Sequence, residues 1–246
     1  EEGYAINGTK KVVEYLKKKK EKISFCIVGE PTNPKKLGEM IKIGRRGSLT
    51  GTIEIFGTQG HVAYPQLLNN PINTLVNICK KLKEKKLDKG NKNFQPSNLE
   101  FTSIYVDNKA HNVIPAKAKA QFNIRYNNFH TAKSLRKKIN LVIKNLCKKS
   151  KCKFKVKYLE NGDSFLTKPN KTIFSAKKII KRLTKVNPKL STTGGTSDAR
   201  FIKKIAPCLE FGLVNKTMHK VDECVSLKDL KKLTNIYKNI LIEYFK

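Results

Sequence analysis

At 246 residues and 39% hydrophobic residues, the chain has room for one large domain or two small ones, and its many short apolar runs exclude a disordered polymer. No run approaches the roughly 20 apolar residues that cross a bilayer and no secretory signal opens it, so a cytoplasmic protein without a membrane partner is expected. Lys and Arg outnumber Asp and Glu by 52 to 19, a net +33 that raises nucleic acid as a partner; the lysines nonetheless spread over polar faces with no aromatic-interleaved basic motif, and no nucleic-acid partner is expected.

Residues 9–20 predict a helix with Val12, Val13 and Leu16 inward, and Ile23 to Val28 a continuous apolar strand running into Gly29-Glu30-Pro31. An acid directly after a buried strand stands where open α/β sheets keep their ligands, at the carboxyl ends. From about residue 48 the pattern changes. The alternating Thr52-Ile53-Glu54-Ile55-Phe56 predicts a strand, and Asn70-Pro71 a capped helix start with Ile72, Leu75, Val76, Cys79 and Leu82 inward. A strand around 98–107 follows. Ala116, Ala118, Ala120, Phe122, Ile124 and Tyr126 then alternate with polar residues at a period of two. Thr131 caps a second helix with Leu135, Ile139, Val142 and Leu146 on one face, and Phe154, Val156 and Tyr158 mark a last strand. The order β-α-β-β-α-β over about 48–162 is that of a ferredoxin-like split βαβ unit. Beyond Gly162 come a helix at 171–186, a loop from Thr192 to Asp198, a helix near 198–205, a strand at 208–214 and a final helix opened by Ser226, with Asp229 completing a capping box. The predicted fold class is therefore α/β: a discontinuous α/β domain, 1–47 and 163–246, interrupted by an inserted βαββαβ domain at 48–162.

Glu1, Glu2, Glu30 and His219 are metal-ligating candidates, because carboxylate and imidazole suit zinc and related divalent ions; singly, each acid equally suits a solvated surface and the histidine a structural turn. Thr193-Gly194-Gly195-Thr196-Ser197-Asp198 offers hydroxyls and backbone N–H groups to a carboxylate or oxyanion, or is an ordinary helix cap after a glycine turn. His61, in a loop after a strand, could donate to a developing oxyanion or be a common turn histidine. Arg45-Arg46 and Arg125 present guanidinium forks matched to a carboxylate, in a chain where surface bases are plentiful. His111 and His130 have no comparable context and read as incidental. The six cysteines form no CxxC pair and read as reduced core residues.

IVGEPT (27–32), GRRGSLTG (44–51), GTQGHVAYP (57–65), HNVIPA (111–116), TGGTSDARF (193–201) and NKTMHKVDECV (215–225) together resemble the M20 family of metallopeptidases, in consistent order along nearly the whole chain. The resemblance implies a catalytic domain interrupted by a lid that also forms a homodimer. It implies two divalent metal ions, zinc or alternatively cobalt, with Glu2 and His219 ligating one, Glu30 the other, and Glu1 as general base. It further implies that His61 reaches across the dimer to the oxyanion, and that Arg45, Asn112, Arg125, Thr196 and Asn215 hold the substrate. HVAYP, NVIPA, GGTSD and HKVDECV narrow the expected reaction to hydrolysis of N-succinyl-LL-2,6-diaminopimelate into succinate and LL-2,6-diaminopimelate, a step of lysine synthesis. The alternatives are another amidohydrolase of the family, of acetylornithine deacetylase or aminoacylase type, or a non-catalytic dimerisation or binding module. Family members place a His-x-Asp motif and a bridging Asp before the Glu-Glu pair with which this chain opens, so a fragment inactive by itself is expected.

Overall fold

The computed structural model describes residues 7–246, so the predicted base Glu1 and the predicted ligand Glu2 lie outside the described residues. The chain divides into two compact units, residues 1–45 with 165–246, and residues 46–164. In chain order the elements are α1 (Thr9–Lys18), β1 (Cys26–Val28), β2 (Met40–Lys42), β3 (Gly44–Arg45), β4 (Gly47–Phe56), β5 (Gly60–His61), α2 (Pro71–Glu84), β6 (Asn98–Tyr105) and β7 (Val113–Ile114). They continue with β8 (Lys117–Tyr126), α3 (Ala132–Ser150), β9 (Lys153–Glu160), β10 (Phe165–Leu166), α4 (Lys171–Thr184), β11 (Lys189–Ser191), α5 (Ala199–Ile202), β12 (Cys208–Glu210) and α6 (Leu227–Tyr244).

The inserted unit is an antiparallel sheet in the order β6-β8-β4-β9, the arrangement expected of a split βαβ unit. β4 and β8 pair over ten residues, from Gly47 opposite Tyr126 to Phe56 opposite Lys117. Their period of two sends Leu49, Ile53 and Ile55 of β4 and Ala118, Ala120, Phe122, Ile124 and Tyr126 of β8 to one face, all buried. Gly51 must stay small, because a Cβ there would run into the Phe122 ring. α2 and α3 cover this face. Asn70 caps α2, its Oδ1 accepting from Ile72 N at 2.9 Å, and Thr131 and Ser134 close a reciprocal capping box on α3.

The stripes of both helices are rotated from expectation. On α2 the buried residues are Pro71, Thr74, Leu75, Ile78 and Leu82, while Val76 is 53% exposed, since it sits about 100° round the helix from Leu75. On α3 they are Ala132, Leu135, Ile139, Ile143 and Cys147, with Val142 and Leu146 only partly buried on the shoulder. β9 is an edge strand, and Phe154 stays 38% exposed there.

The other unit holds a sheet in the order β1-β12-β2-β11. β1 runs parallel to β12 and β2 parallel to β11, but β12 and β2 are antiparallel and meet only at Glu210 opposite Lys42. Val28, Glu210, Lys42 and Ser191 consequently stand in one row, each the last residue of its strand. The predicted strands at 23–28 and 208–214 shrink to three residues each, and β2 and β11 were too short to show a period. Ile173, Ala176, Ile179 and Ile180 of α4 and Leu233, Ile236 and Ile240 of α6 bury the apolar side of this sheet with Ile41, Leu209 and Phe211. On α1 only Val13 is buried, and Val12 is 54% exposed. Ser226 caps α6 by accepting from Asp229 N at 3.3 Å. Among the described residues no helix is long and apolar enough to cross a membrane.

Candidate functional site

The row of strand ends in the discontinuous unit leads directly into the segments that carry Glu30, Thr196 and Asn215. Glu30 follows β1 by two positions. A Cβ at Gly212 would run into the Glu30 carbonyl oxygen, so the chain leaving β1 and the chain leaving β12 lie backbone against backbone. Asn33, completely buried, ties these exits together: its Nδ2 donates to Gly212 O at 2.6 Å and its Oδ1 accepts from Gly38 N and Met40 N at 3.1 and 3.0 Å. Asn33 O in turn accepts from Asn215 N at 2.9 Å, which fixes the predicted substrate residue Asn215.

His219 lies four residues further, exposed, with φ 60 in the left-handed region that a histidine enters only when a turn holds it there. That turn is closed by Thr217 Oγ1, which donates to Cys224 O at 2.8 Å and accepts from Cys224 N at 3.1 Å; His219 N donates to Glu223 Oε2 at 3.1 Å. Glu30 and His219 supply an oxygen and a nitrogen donor, fewer than the three protein ligands of a hydrolytic zinc site. Among the described residues no three His, Cys, Asp or Glu side chains gather to hold a metal ion, so Glu30 and His219 by themselves do not make one.

The loop carrying Thr196 leaves β11 beside a buried charge cluster. Arg45 was expected to hold substrate; instead its Nε donates to both oxygens of Glu210, at 3.0 and 2.9 Å, its Nη2 pairs with the same carboxylate, and its Nη1 donates to Thr193 O at 3.2 Å. Two charges taken out of water need each other, and this pair leaves Arg45 little free for a ligand. Ser197 Oγ donates to Glu210 Oε1 at 2.6 Å, and Lys42 Nζ donates to Thr193 Oγ1 at 2.6 Å. Burial, then the Arg45 charge, pushes the Lys42 amine down to about 8 against the opposite pull of Glu210. Arg200 is lowered by burial, with Asp198 and Glu30 pulling it back, so it lies within electrostatic reach of the Glu30 carboxylate.

In the inserted unit, His61 and Asn112 come together. β5 pairs with β7, His61 opposite Val113, and the Asn112 amide nitrogen is 3.5 Å from His61 Nε2. Ala63 N donates to His61 Nδ1 at 3.1 Å, which places the proton of a neutral ring on Nε2, a proton that Asn112 can accept only with its amide oxygen turned toward the ring. Arg125 projects from β8 with Nη1 buried and without a hydrogen bond among the described residues, and burial together with the neighbouring Arg46 lowers its pKa. Arg46 is in the same condition at Nε, while its Nη1 donates to Asn98 Oδ1 at 2.9 Å and Pro96 O at 3.2 Å.

His130, read as incidental, is a buried structural residue. Its Nε2 lies 3.1 Å from Asp88 Oδ2, and Asp88 also accepts from Gly90 N at 2.7 Å and Asn127 Nδ2 at 2.6 Å. Burial works to raise the Asp88 carboxyl, but the hydrogen bonds from Ser97, Gly90 and Asn127 outweigh it and hold it below the usual range. Glu210, Lys42, Asn33 and Asp88 were not selected from the sequence. Glu210 carries the same signal as Glu30, an acid at the end of an apolar strand, but the apolar residues that follow it blurred the strand end.

Residues 43–151 match the model of a peptidase dimerisation domain of M20 type. A succinyl-diaminopimelate desuccinylase of Pelagibacter ubique is 65% identical over 245 residues, covering 100% of this chain and 64% of that protein. One from Rickettsia bellii is 47% identical over 243 residues, covering 99% and 62%. The chain thus spans less than two thirds of the length of these relatives. In fold it is similar to aminopeptidase PepT from Bacillus cereus, with a TM-score of 0.80 at 15% identity over 97% of this chain and 62% of that one. An M20 family metallo-carboxypeptidase from Sulfolobus solfataricus gives 0.71 at 16% identity over 94% and 66%. Over its whole length the chain is similar to succinyl-diaminopimelate desuccinylases, and residues 43–151 match an M20-type peptidase dimerisation domain.

Proposed function

We propose that the protein to which this chain belongs hydrolyses N-succinyl-LL-2,6-diaminopimelate to succinate and LL-2,6-diaminopimelate, in the cytoplasm, as a step of lysine synthesis. The observation that carries the reading is 65% identity to a desuccinylase across the entire chain. The discontinuous unit is the catalytic part in this reading, and the inserted unit the lid and dimerisation part. The cofactors are two divalent ions, zinc or alternatively cobalt, which when bound supply a water activated for attack on the amide carbonyl. Glu2, Glu30 and His219 are this chain's ligands, and Glu1 its general base.

The chain's other residues bind and orient. His61, with its ring proton on Nε2 and Asn112 beside it, donates to the oxyanion of the partner subunit's substrate. Thr196 and Asn215, on loops pinned to the row of strand ends, hold the substrate in the catalytic unit, where Arg45 acts through its pairing with Glu210. Arg125 meets a substrate carboxylate, supported by its unmatched buried donor and by the like charge of Arg46 beside it, both of which an anion would satisfy. A homodimer through the inserted unit is supported by the edge strand β6, whose Ile104 and Tyr105 are 60% and 58% exposed.

The test joins this chain to the N-terminal remainder of its Pelagibacter relative, loads the protein with zinc, and compares succinate release from N-succinyl-LL-2,6-diaminopimelate with deacylation of N-acetylornithine and N-acyl amino acids. Turnover confined to the succinylated substrate is the predicted result. Preference for an acetylated substrate would replace the reading with that of another amidohydrolase.

A further inference from the structure

Glu210 and Ser197 have no direct role in the proposed hydrolysis, yet they belong to a buried polar cluster of the catalytic unit. Glu210 is 1% exposed, Ser197 5%, Lys42 5% and Arg45 8%. A carboxylate so enclosed persists only when its lone pairs are met, and here Arg45 meets it bidentately while Ser197 Oγ takes Oε1 at 2.6 Å. The same cluster grips the other end of the loop, since Arg45 Nη1 donates to Thr193 O at 3.2 Å and Lys42 Nζ to Thr193 Oγ1 at 2.6 Å.

Between these anchored ends lie Gly194, Gly195 and Thr196. Gly194 has φ +101, and a Cβ there would stand 2.5 Å from Arg45 Nη1, so backbone and cluster are in close contact. At Gly195 a Cβ would meet nothing within 4 Å, so the middle of the loop faces open space while both ends are fixed. Two fixed ends and an open centre make a preorganised cradle rather than a mobile turn.

We propose that Glu210 and Ser197 are positioning residues, which hold the 194–196 segment in the geometry that receives the substrate, with Arg45 as the partner that holds Glu210 in place. The catalytic meaning rests on Thr196 as a substrate-binding residue; the geometry does not.

Ser197→Ala removes the link at the Ser197 end of the loop and leaves the Thr193 contacts and the Arg45–Glu210 pair intact, so it separates positioning from folding. Hydrogen exchange by mass spectrometry on the chain as it stands should show the 194–197 amides exchanging about tenfold faster in Ser197→Ala, with β2, β11 and β12 unchanged and Ser197→Thr restoring protection. Glu210→Gln should loosen the same segment further. In the joined, zinc-loaded enzyme, Ser197→Ala should raise KM for the succinylated substrate about tenfold with kcat held within about twofold. Unchanged exchange at 194–197 in both variants, or protection lost equally across the sheet, would overturn the proposal. Faster exchange with an unaltered KM would overturn its catalytic half alone, and faster exchange in an enzyme inactive on every substrate would instead sink the proposed reaction.

Discussion

Lys42 shows how a single buried amine shapes the stability of the site. Burial first, and Arg45 second, push it down to about 8, against about 10.5 in an unfolded chain, with Glu210 pulling the other way. Below the folded value both states carry the proton and the folded protein bears the full cost of a buried charge. Between about pH 8 and 10.5 the folded state has released the proton and the unfolded state has not, so this group adds stability as pH rises, up to about 3 kcal/mol at about 1.4 kcal/mol per pH unit. Urea unfolding at pH 7.5 and 9.5 should therefore show a gain that Lys42→Met abolishes; an identical pH response in that variant would show that other groups carry it. His130→Ala should destabilise by about 1–3 kcal/mol, because it strips one partner from buried Asp88. Midpoints of thermal unfolding measure it, and an unchanged midpoint would contradict a structural role for His130.

At the scale of elements, the inserted unit was the legible part. Ten-residue strands and helices of 14 and 19 residues give a period room to declare itself, and the capping residues Asn70 and Thr131 stand where the sequence put them. The rotation of the stripes was not legible, because Val142 and Ile143 are equally apolar and only packing chooses between them. Ile143→Ala should cost about 2–5 kcal/mol and Val142→Ala about 1 kcal/mol or less, and the reverse order would contradict this packing. In the discontinuous unit the three-residue strands β2 and β11 are too short for a period, and the row they complete depends on pairing that joins residues 149 to 182 positions apart. Glu30 was legible as an acid ending an apolar strand. Glu210 became intelligible only beside Arg45, its partner 165 positions away in the chain.

In the proposed reading one unit carries the catalysis and the other pairs subunits, so assembly and activity should be coupled. Ile104→Lys places a charge on the exposed edge strand β6 and should shift the protein from dimer to monomer in sedimentation velocity while its circular dichroism stays unchanged. If His61 serves the partner's substrate, the monomer should lose turnover as well, and a fully active monomer would contradict that role. Glu1→Gln in the joined enzyme should abolish turnover with metal still bound, since a general base removes a proton without ligating. The most direct measurement of the proposed activity is the rate of succinate release from N-succinyl-LL-2,6-diaminopimelate by the joined protein, before and after a chelator and with zinc restored. Release that disappears with the metal, returns with it and is not matched on N-acetylornithine is the predicted result; release indifferent to metal, or none under any loading, would contradict it.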